Sequence, residues 1–323
     1  MIIYIGSRRQ THMLRHMRRE AHMPAWTART YAWLFRTARL PAATYIFVGI
    51  DRMDAPERRL AAQFYRHING LGAGWRALND PAIAMGRYRL LRQLHEAGIN
   101  DFNAYLVAES ARPERYPVLV RRNATSTPPL TGLLESRAAL DVEIDRLVAA
   151  GEVPEDLVII EYCAEPTESG LYCKQAEYRI GEHFIPSPSI YAGDWYVKRS
   201  TSLAVDDAVT AYDAEVLRTN PFAEVARRVF AIAGIEYGRA DIGVVGGRPQ
   251  IFEINFNPDV RSQRENPERN KILSGLWDDS DKRFFAALHE VDSSGRGSAP
   301  TLRTGELTAF RLRFWRNYAP QRF

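Results

Sequence analysis

A predicted β-hairpin constrains the fold of this chain more than any other feature. It lies in GRADIGVVGGRPQIFEINFNPDV, residues 238–260, where two strand-forming runs flank a double glycine. Two glycines between such runs are typical of a tight hairpin turn. The strands nevertheless carry Asp241, Glu253 and Asn255, although Asp and Asn are poor strand formers and like charges repel. The hairpin therefore needs a feature that compensates for these side chains.

The faces of the second strand follow from the alternation of side chains along a strand. Phe252, Ile254 and Phe256 are expected on one face, and Glu253 and Asn255 on the other. This alternation gathers the polar side chains of the strand on one side of the sheet.

The length of the turn decides which residues the two strands pair. A two-residue loop at the double glycine would pair Asp241 with Phe252 and would place Asp241 and Glu253 on opposite faces. A three-residue loop that also includes Arg248 would pair Asp241 with Glu253 directly, with their Cβ atoms about 5 Å apart. The sequence leaves both registers open.

A divalent cation would turn the repulsion between the two carboxylates into coordination. Carboxylate and amide oxygens are the ligands that Mg²⁺ prefers, with positions left for phosphate oxygens. The pattern therefore predicts that Asp241, Glu253 and Asn255 bind Mg²⁺, or Mn²⁺ in its place. The alternative is a hairpin whose polar face is simply solvated.

The hairpin also resembles a known family signature. Arg239, Asp241, Glu253, Asn255 and Pro258 follow the pattern Arg-x-Asp, a β-hairpin and Glu-x-Asn-x-x-Pro. This pattern resembles the C-terminal signature of the ATP-grasp superfamily, as found in D-alanine–D-alanine ligases and glutathione synthetases. The resemblance implies an α/β (α+β) chain with the ATP-grasp fold, preceded by a small parallel α/β domain, and it implies ATP as the cofactor.

The resemblance and the pattern of strands and helices divide the chain into four parts. We expect a parallel α/β domain at 1–82, the small lid subdomain of the ATP-grasp fold at 83–156 and the subdomain with the Mg·ATP site at 157–292. Residues 293–323 are expected to form a linker and a basic tail, with SSGRGSAP at 293–300 as the flexible part.

The nucleotide base and ribose are assigned to the segment LVIIEYCAEPTESG. In the family, adenine packs against a strand that ends in Glu and is bound by the backbone that follows. The resemblance therefore implies adenine contacts at Glu161, Tyr162 and Cys163. A second Glu, seven residues on, binds the ribose hydroxyls in the family, and here that residue is Glu168.

The phosphate-binding residues are less conventional. The two family positions that bind phosphate hold Arg87 and Arg121 here, where most relatives have Lys. Only four of the 43 basic residues of this chain are Lys, so Arg in these positions agrees with the overall composition. Arg179 and Lys198 are further candidates for phosphate contacts, and Arg239 matches the residue that steadies the acyl intermediate in D-alanine ligases. We therefore assign catalytic roles to Arg239 and Arg121.

Charge and composition bear on location and partners. Residues 1–40 contain eight Arg and one Glu, and residues 301–323 contain five Arg and one Glu. Basic ends could contact a polyanion, but a solvated helix face and a tail explain them more simply, so we expect no nucleic-acid partner. There is no apolar run of about 20 residues, and two cysteines are too few for a disulfide framework. We expect a cytoplasmic protein without a membrane partner, and relatives are frequently homodimers.

The activity implied by the resemblance is an ATP-dependent ligation. A carboxylate substrate would attack the γ-phosphate of ATP to give an acyl phosphate, and an amine would displace the phosphate to form an amide or peptide bond. Two alternatives stay open at this point. One is a kinase built on the same fold, and the other is a nucleotide-binding protein without turnover, which the two Lys-to-Arg replacements would favour.

Overall fold

The computed structural model describes most of the chain. The described residues are 1–7, 22–109, 112–123, 128–198, 207–258, 267–293 and 295–318. Within these ranges, no helix is both long enough and apolar enough to cross a membrane. Much of the arginine-rich segment that follows the first strand, at 8–21, lies outside the described residues.

The secondary structure mixes strands and helices along the chain. The strands are β1 Ile2–Gly6, β2 Trp26–Thr30, β3 Arg39–Pro41, β4 Thr44–Phe47, β5 Arg76–Leu78, β6 Ala104–Leu106, β7 Val118–Arg122, β8 Leu157–Glu161, β9 Tyr172–Ile180, β10 His183–Ala192, β11 Tyr237–Val245, β12 Arg248–Asn255 and β13 Ser298–Pro300. The helices are α1 Tyr31–Arg36, α2 Ala55–Asn69, α3 Arg87–Glu96, α4 Arg137–Ala149, α5 Asp207–Thr219, α6 Ala223–Ala233, α7 Pro267–Val291 and α8 Gly305–Tyr318. Pro221 separates α5 from α6, because proline interrupts the hydrogen-bond pattern of a helix.

The N-terminal part of the chain forms a four-stranded parallel sheet in the order β2-β1-β4-β5. β1 lies inside the sheet and all of its residues are buried, as its apolar sequence IIYIG predicts. The sequence did not predict the edge strand β2, because its side chains are mostly half-exposed and include Arg29. The sheet confirms the predicted parallel α/β architecture at the N-terminus.

Alternate residues of β1 pack into two different cores. Ile3 and Ile5 belong to the core that contains Phe64 of α2. Tyr4 belongs to the other core, where its ring centroid lies 5.6 Å from that of Tyr237 in β11. The second core therefore joins the parallel sheet to the part of the fold that contains the predicted metal hairpin.

Two antiparallel sheets follow the parallel sheet. A three-stranded sheet has the order β6-β8-β7, and a four-stranded sheet has the order β10-β9-β11-β12. α4 packs on the three-stranded sheet through Leu140 and Leu147, which share a core with Val120. The parallel sheet and these two antiparallel sheets give the chain the mixed α/β architecture that the sequence predicted.

The two faces of the four-stranded sheet have different surroundings. We call the side that carries Lys174 and Asp241 the cavity face, because both residues line a cavity. Side chains alternate along β9, so Gln175, Glu177 and Arg179 lie on the side of the sheet opposite to Lys174. We call this side the helix face. There, Gln175 donates to the Tyr212 hydroxyl of α5 at 2.7 Å, so this side of the sheet is covered by helices.

The described part of the C-terminal segment, residues 295–318, returns to the N-terminal domain. β13 pairs with β3, and α8 buries Leu307. The ring centroid of Phe310 lies 5.2 Å from that of Phe35 in α1. The prediction of a flexible linker across 293–300 is therefore wrong for residues 298–300, because backbone pairing with β3 compensates for their polar, glycine-rich context. The other predicted domain limits stay predictions.

Asn79 connects the parallel sheet to the four-stranded sheet. It follows β5, is fully buried and has a φ of 65°. Its amide nitrogen donates to the carbonyl oxygens of Phe47 and Tyr237 at 3.0 and 2.8 Å. Its amide oxygen accepts from the backbone N–H groups of Glu236 and Tyr237 at 2.8 and 2.9 Å. One side chain thus hydrogen-bonds to four backbone groups.

We expect Asn79→Gly to keep the left-handed backbone and to lose these four hydrogen bonds. The free energy of unfolding should fall by about 2–4 kcal/mol, since each unpaired buried polar group costs about 1–3 kcal/mol. For Asn79→Ala, the free energy of unfolding should fall by about 1 kcal/mol more than for Asn79→Gly, because alanine is disfavoured at positive φ. Urea unfolding measures both effects, and a wild-type midpoint for Asn79→Gly would contradict the role of the side chain.

Glu177 on the helix face is fully buried. Asn220 donates to its Oε1 atom at 2.8 Å. Burial raises the pKa of Glu177 to about 8, although the hydrogen bond from Asn220 and the charge of Arg283 act in the opposite direction. The folded protein therefore keeps a proton on Glu177 at pH values where the unfolded chain has lost it.

This difference gives a pH-dependent stability. Between the unfolded pKa, about 4.3, and the folded value near 8, the folded state binds more protons, so ionisation of the unfolded state destabilises the protein as the pH rises. Glu177→Gln cannot titrate, so the difference between its free energy of unfolding and that of the wild type should grow in its favour by roughly 3–4 kcal/mol between pH 5 and pH 8. Urea unfolding at both pH values tests this, and parallel pH profiles would contradict it.

Candidate functional site

The turn between β11 and β12 has two residues. Val245 pairs with Arg248, and Gly246 and Gly247 form the loop with φ values of 55° and 75°. Positive φ at both loop positions defines the type I′ turn, which matches the twist of the strands and which glycine adopts without strain. The shorter of the two loops considered for the sequence is therefore the observed one.

A β-bulge then restores the pairing of the two carboxylates. Ile242 pairs with Ile251, but the next pair along the ladder is Asp241 with Glu253, so Phe252 is an extra residue on β12. An extra residue on one strand shifts the register and changes the direction of the side chains that follow. Asp241 and Glu253 therefore lie opposite each other on the cavity face, despite the two-residue loop.

The bulge also moves Phe252 to the cavity face. The prediction that Phe252 shares a face with Ile254 and Phe256 is wrong, because strict alternation does not hold across the extra residue. Ile254 and Phe256 pack in the core with the helices, whereas the Phe252 ring lies 6.2 Å from that of Phe102 beside the cavity. Gly243 makes room for it, since a Cβ atom at this position would lie 2.5 Å from the ring.

Asp241 is a buried carboxylate held by two cations. Its side chain is 1% exposed and accepts from Arg239 Nε at 2.9 Å, and Lys174 Nζ lies 3.1 Å from its Oδ2 atom. Burial alone would raise the pKa of Asp241, but the charges of Arg239 and Lys174 outweigh burial and lower it. Asp241 is therefore ionised at neutral pH.

Glu253 has a similar environment on the neighbouring strand. It forms a close ion pair with Arg87 at the start of α3, and Asn255 Nδ2 lies 3.5 Å from its Oε1 atom. Burial would raise the pKa of Glu253, but Arg87 and, more weakly, Arg121 lower it despite the nearby Asp241. The structure thus brings together the three predicted metal ligands and two predicted phosphate-binding arginines.

Arg121 approaches this group from the three-stranded sheet. It lies on β7 and lines the cavity, close enough to Arg87 for the two charges to repel. Burial, together with Arg87, lowers the pKa of Arg121 to about 10, although Glu253 opposes the shift. Two arginines from different elements therefore converge on one place, which suits an anion with several charges.

The cavity lies between the two antiparallel sheets and changes in polarity along its walls. Asp241 and Glu253 form part of its charged end. Apolar side chains line the rest of the wall on the three-stranded sheet, as shown by Leu119 and Ile160. Trp195, from the segment after β10, forms an opposing wall, and its ring lies 5.9 Å from that of Tyr162 at an angle of 87°. The cavity suits a ligand with a planar apolar part and an anionic part.

Glu161 lines the cavity at the end of β8, but its carboxylate is used inside the protein. Its Oε2 atom accepts from the backbone N–H of Asn103 at 2.9 Å, and its Oε1 atom accepts from the Tyr105 hydroxyl at 3.2 Å. The side chain thus fixes β8 against β6. This geometry leaves the backbone after β8, rather than the carboxylate, as the group that faces a ligand.

The backbone after Glu161 has hydrogen-bonding capacity to spare. The N–H of Tyr162 donates to the Pro117 carbonyl at 2.9 Å. In the described part of the chain, the N–H groups of Cys163 and Ala164 have no acceptor, and both residues line the cavity. Backbone donors beside an apolar wall are what a heteroaromatic base requires.

The predicted ribose residue lies apart from the cavity wall. Glu168 is exposed in the turn that precedes β9. Glu165, three residues earlier, lines the cavity instead and accepts from the backbone N–H of Gly246 at 2.7 Å. The structure therefore offers Glu165 as the acidic side chain at this end, and the spacing of the two glutamates in the sequence could not distinguish them.

Arg179 does not reach the cavity. It is on the helix face, where its Nε atom donates to the Gly181 carbonyl at 2.8 Å and its Nη1 atom donates to the Ile235 carbonyl at 2.9 Å. The prediction of a phosphate or substrate contact for Arg179 is wrong, because it lies two residues from Glu177 on β9 and therefore shares its face. Its role in the structure is to hold the end of the hairpin.

Lys198 and Lys174 differ in what they contact. Lys198 Nζ lies 4.5 Å from the ring centroid of Tyr196, which lines the cavity, so Lys198 is adjacent to the site. Lys174 contacts Asp241 directly, yet sequence reasoning did not select it. Lys174 could have been selected from its position on β9, but only with knowledge of the pairing between β9 and β11, which decides that it lies on the same face as Asp241.

Comparisons with known proteins agree with this architecture. No family model matches the sequence, and no curated protein is similar to it in sequence. The structure is similar to D-alanine–D-alanine ligase from Bacillus anthracis, with a TM-score of 0.53 and 12% identity over 90% of this chain and 97% of that one. The same ligase complexed with ATP gives a TM-score of 0.51 with the same identity and coverage.

At this identity the similarity concerns the fold. It extends across the parallel sheet and both antiparallel sheets, since the match covers 90% of the chain. The fold predicted from the hairpin signature is therefore confirmed, and this chain has the ATP-grasp fold of the D-alanine–D-alanine ligases.

Proposed function

We propose that this protein is an ATP-dependent carboxylate–amine ligase that works through an acyl phosphate. One observation carries the proposal. Asp241 and Glu253 lie opposite each other beside Asn255, at the charged end of an apolar cavity, in a chain with the ATP-grasp fold. Such a combination suits a nucleotide triphosphate whose base lies in the apolar part and whose phosphates reach the carboxylates.

The base of ATP would occupy the apolar part of the cavity. Leu119 and Ile160 would pack on one side of the ring and Trp195 on the other. The N–H groups of Cys163 and Ala164 would donate to ring nitrogens. Backbone hydrogen bonds combined with apolar walls are typical of such cofactor sites.

Mg²⁺, or Mn²⁺, would be held by Asp241, Glu253 and Asn255. The donor set fits, because two ionised carboxylates and an amide oxygen are hard ligands for a divalent cation. When bound, the ion would neutralise phosphate charge and orient the terminal phosphate. The arginine and lysine partners that now balance the carboxylates would then become available to the phosphates.

The chain's own cations would stabilise the reaction. Arg121 and Arg87 converge on the charged end and would hold the phosphates, with Lys174 beside them. Arg239, fixed by Asp241, would offer its remaining N–H groups to the acyl phosphate oxygens. Preorganised donors of this kind stabilise charge that develops during phosphoryl transfer. No protein nucleophile is needed for this chemistry.

The remaining sequence predictions are unchanged. The cytoplasmic location, the homodimer and the two substrates, a carboxylate and an amine, stay predictions, as do the predicted domain limits. The lack of a nucleic-acid partner is also still an expectation from the charge distribution.

The metal assignment predicts magnesium-dependent binding of ATP. Isothermal titration calorimetry should detect Mg·ATP binding to the wild type, and the double variant Glu253→Gln, Asn255→Ala should bind at least about tenfold more weakly, because it loses one charge and one ligand. Glu177→Gln is a matched control, since it removes a carboxyl group from the opposite face of the same sheet. Equal binding by both proteins, or no binding by either, would refute the assignment.

The chemical step predicts that an acyl phosphate can be trapped. With ATP, hydroxylamine and a mixture of N-acetylamino acids and free amino acids, the wild type should release phosphate and form hydroxamates. Arg239→Ala should slow hydroxamate formation roughly 100-fold, the loss expected for one preorganised donor. Arg248→Ala is the matched control on the same hairpin, because its side chain is exposed and contacts Asp101. Phosphorylated product without free phosphate or hydroxamate would instead identify a kinase.

A further inference from the structure

Asp51 belongs to the parallel sheet but lies beside the candidate site. It is in a single 3₁₀ turn, Ile50–Arg52, that directly follows β4 after Gly49, whose φ is 65°. It therefore stands at the carboxyl end of a parallel strand, the edge at which open α/β sheets bind ligands.

The side chain of Asp51 approaches the metal-binding residues across the boundary between sheets. Its Cβ atom would lie 3.9 Å from a Cβ atom placed on Gly86, the residue before α3. Arg87, the first residue of that helix, forms the ion pair with Glu253. Asp51 is near enough for electrostatic interaction with both Arg87 and Glu253. The N-terminal sheet thus contributes a carboxylate at the place where the phosphates would end.

Asp51 has no ion pair within 4.0 Å in the part of the chain that the structure describes, although it is half-buried. Arg52, the next residue, is the strongest charge that acts on Asp51. Arg58 donates to the carbonyl oxygens of Pro81 and Ala84, and Arg87 is bound to Glu253. The charge of Asp51 is therefore compensated only in part, by arginines that form no ion pair with it within 4.0 Å in the described part of the chain.

We propose that Asp51 binds the ammonium group of the amine substrate, which would make that substrate a primary amine with a positive charge. The inference rests on the proposed ligase function, because it assigns the second substrate of the same site. A neutral amide or alcohol would leave Asp51 unmatched, since a half-buried carboxylate is stabilised by a cation or by several donors.

The protonation of Asp51 agrees with this role. Burial raises the pKa of Asp51, and the charges of Arg52 and Arg87 compensate only in part. An ammonium group brought into contact would stabilise the ionised carboxylate further. The amine would then be held beside Glu253 and Arg87, close to where the carboxyl group of the other substrate is activated. One ammonium proton would pass to the Asp51 carboxylate before attack, because only the neutral amine has the lone pair that forms the amide bond as phosphate leaves.

Simple probes separate recognition of the ammonium from recognition of the carboxylate. The ethyl esters of glycine, alanine and lysine carry ammonium groups without a free carboxylate, whereas the N-acetyl derivatives carry the carboxylate alone. Saturation-transfer NMR on the full chain with Mg·ADP measures binding of each probe. We expect Asp51→Asn to weaken ester binding by at least about tenfold and to leave binding of the N-acetyl acids within twofold.

Two further variants make the test specific. Asp51→Glu should recover part of the ester binding, because it restores the charge. Asp54→Asn removes a charge three residues away and should leave ester binding unchanged, since Asp54 caps α2 by accepting from the Glu57 N–H at 2.7 Å and asparagine caps equally well.

The outcomes distinguish this inference from the proposed function. Equal ester binding by wild type and Asp51→Asn, or no ester binding by the wild type, would overturn the role of Asp51. If Asp51→Asn binds the esters as the wild type does but needs a different magnesium concentration to bind ADP, the ammonium-binding role is overturned and Asp51 has a metal-binding role instead. A wild type that forms no hydroxamate would refute the ligase chemistry, whereas Asp51-dependent ester binding would still support an ammonium site.

Discussion

The pairing of Asp241 with Glu253 is the constraint on which the site depends. Two carboxylates on adjacent strands repel each other, and burial makes their charges more costly still. The protein compensates with Arg239 and Lys174 on one carboxylate and Arg87 on the other. These ion pairs lower the pKa of both acids and keep them ionised. The charges of the cluster are thus balanced within the protein.

The same sheet shows how the surroundings decide what a carboxylate can do. Glu177 lies on the helix face, where burial is offset only by Asn220 and the charge of Arg283, so its pKa is raised. Asp241 lies on the cavity face, where burial is outweighed by adjacent cations. Neighbouring strands thus hold one neutral acid with a structural role and one ionised acid suited to a metal. Asp241 pairs with Ala176 of β9, and side chains alternate along that strand, so the next residue, Glu177, points to the opposite face of the sheet.

The site is assembled from parts that are distant in the sequence. The hairpin supplies the predicted metal ligands, the three-stranded sheet supplies Arg121 and the apolar wall, and α3 supplies Arg87. The parallel sheet adds Asp51, and Asn79 fixes that sheet to β11 through the backbone of Tyr237. The fold thereby places the carboxyl edge of the parallel sheet next to the cavity between the two antiparallel sheets.

Alternation and turn residues act over short distances, so the sequence was enough to identify the buried strands and the hairpin, and the resemblance of the Arg-x-Asp and Glu-x-Asn-x-x-Pro motifs predicted the ATP-grasp fold. The edge strands β2 and β13 were missed, because their pairing depends on segments distant in the chain. The hairpin pattern also selected Asp241, Glu253 and Asn255, and the family resemblance selected Arg87 and Arg121. The β-bulge at Phe252, the structural role of Arg179 and the contact of Lys174 with Asp241 were decided by tertiary structure. Register and face depend on which strands pair and on what covers them, and these choices are made by packing between segments far apart in the chain.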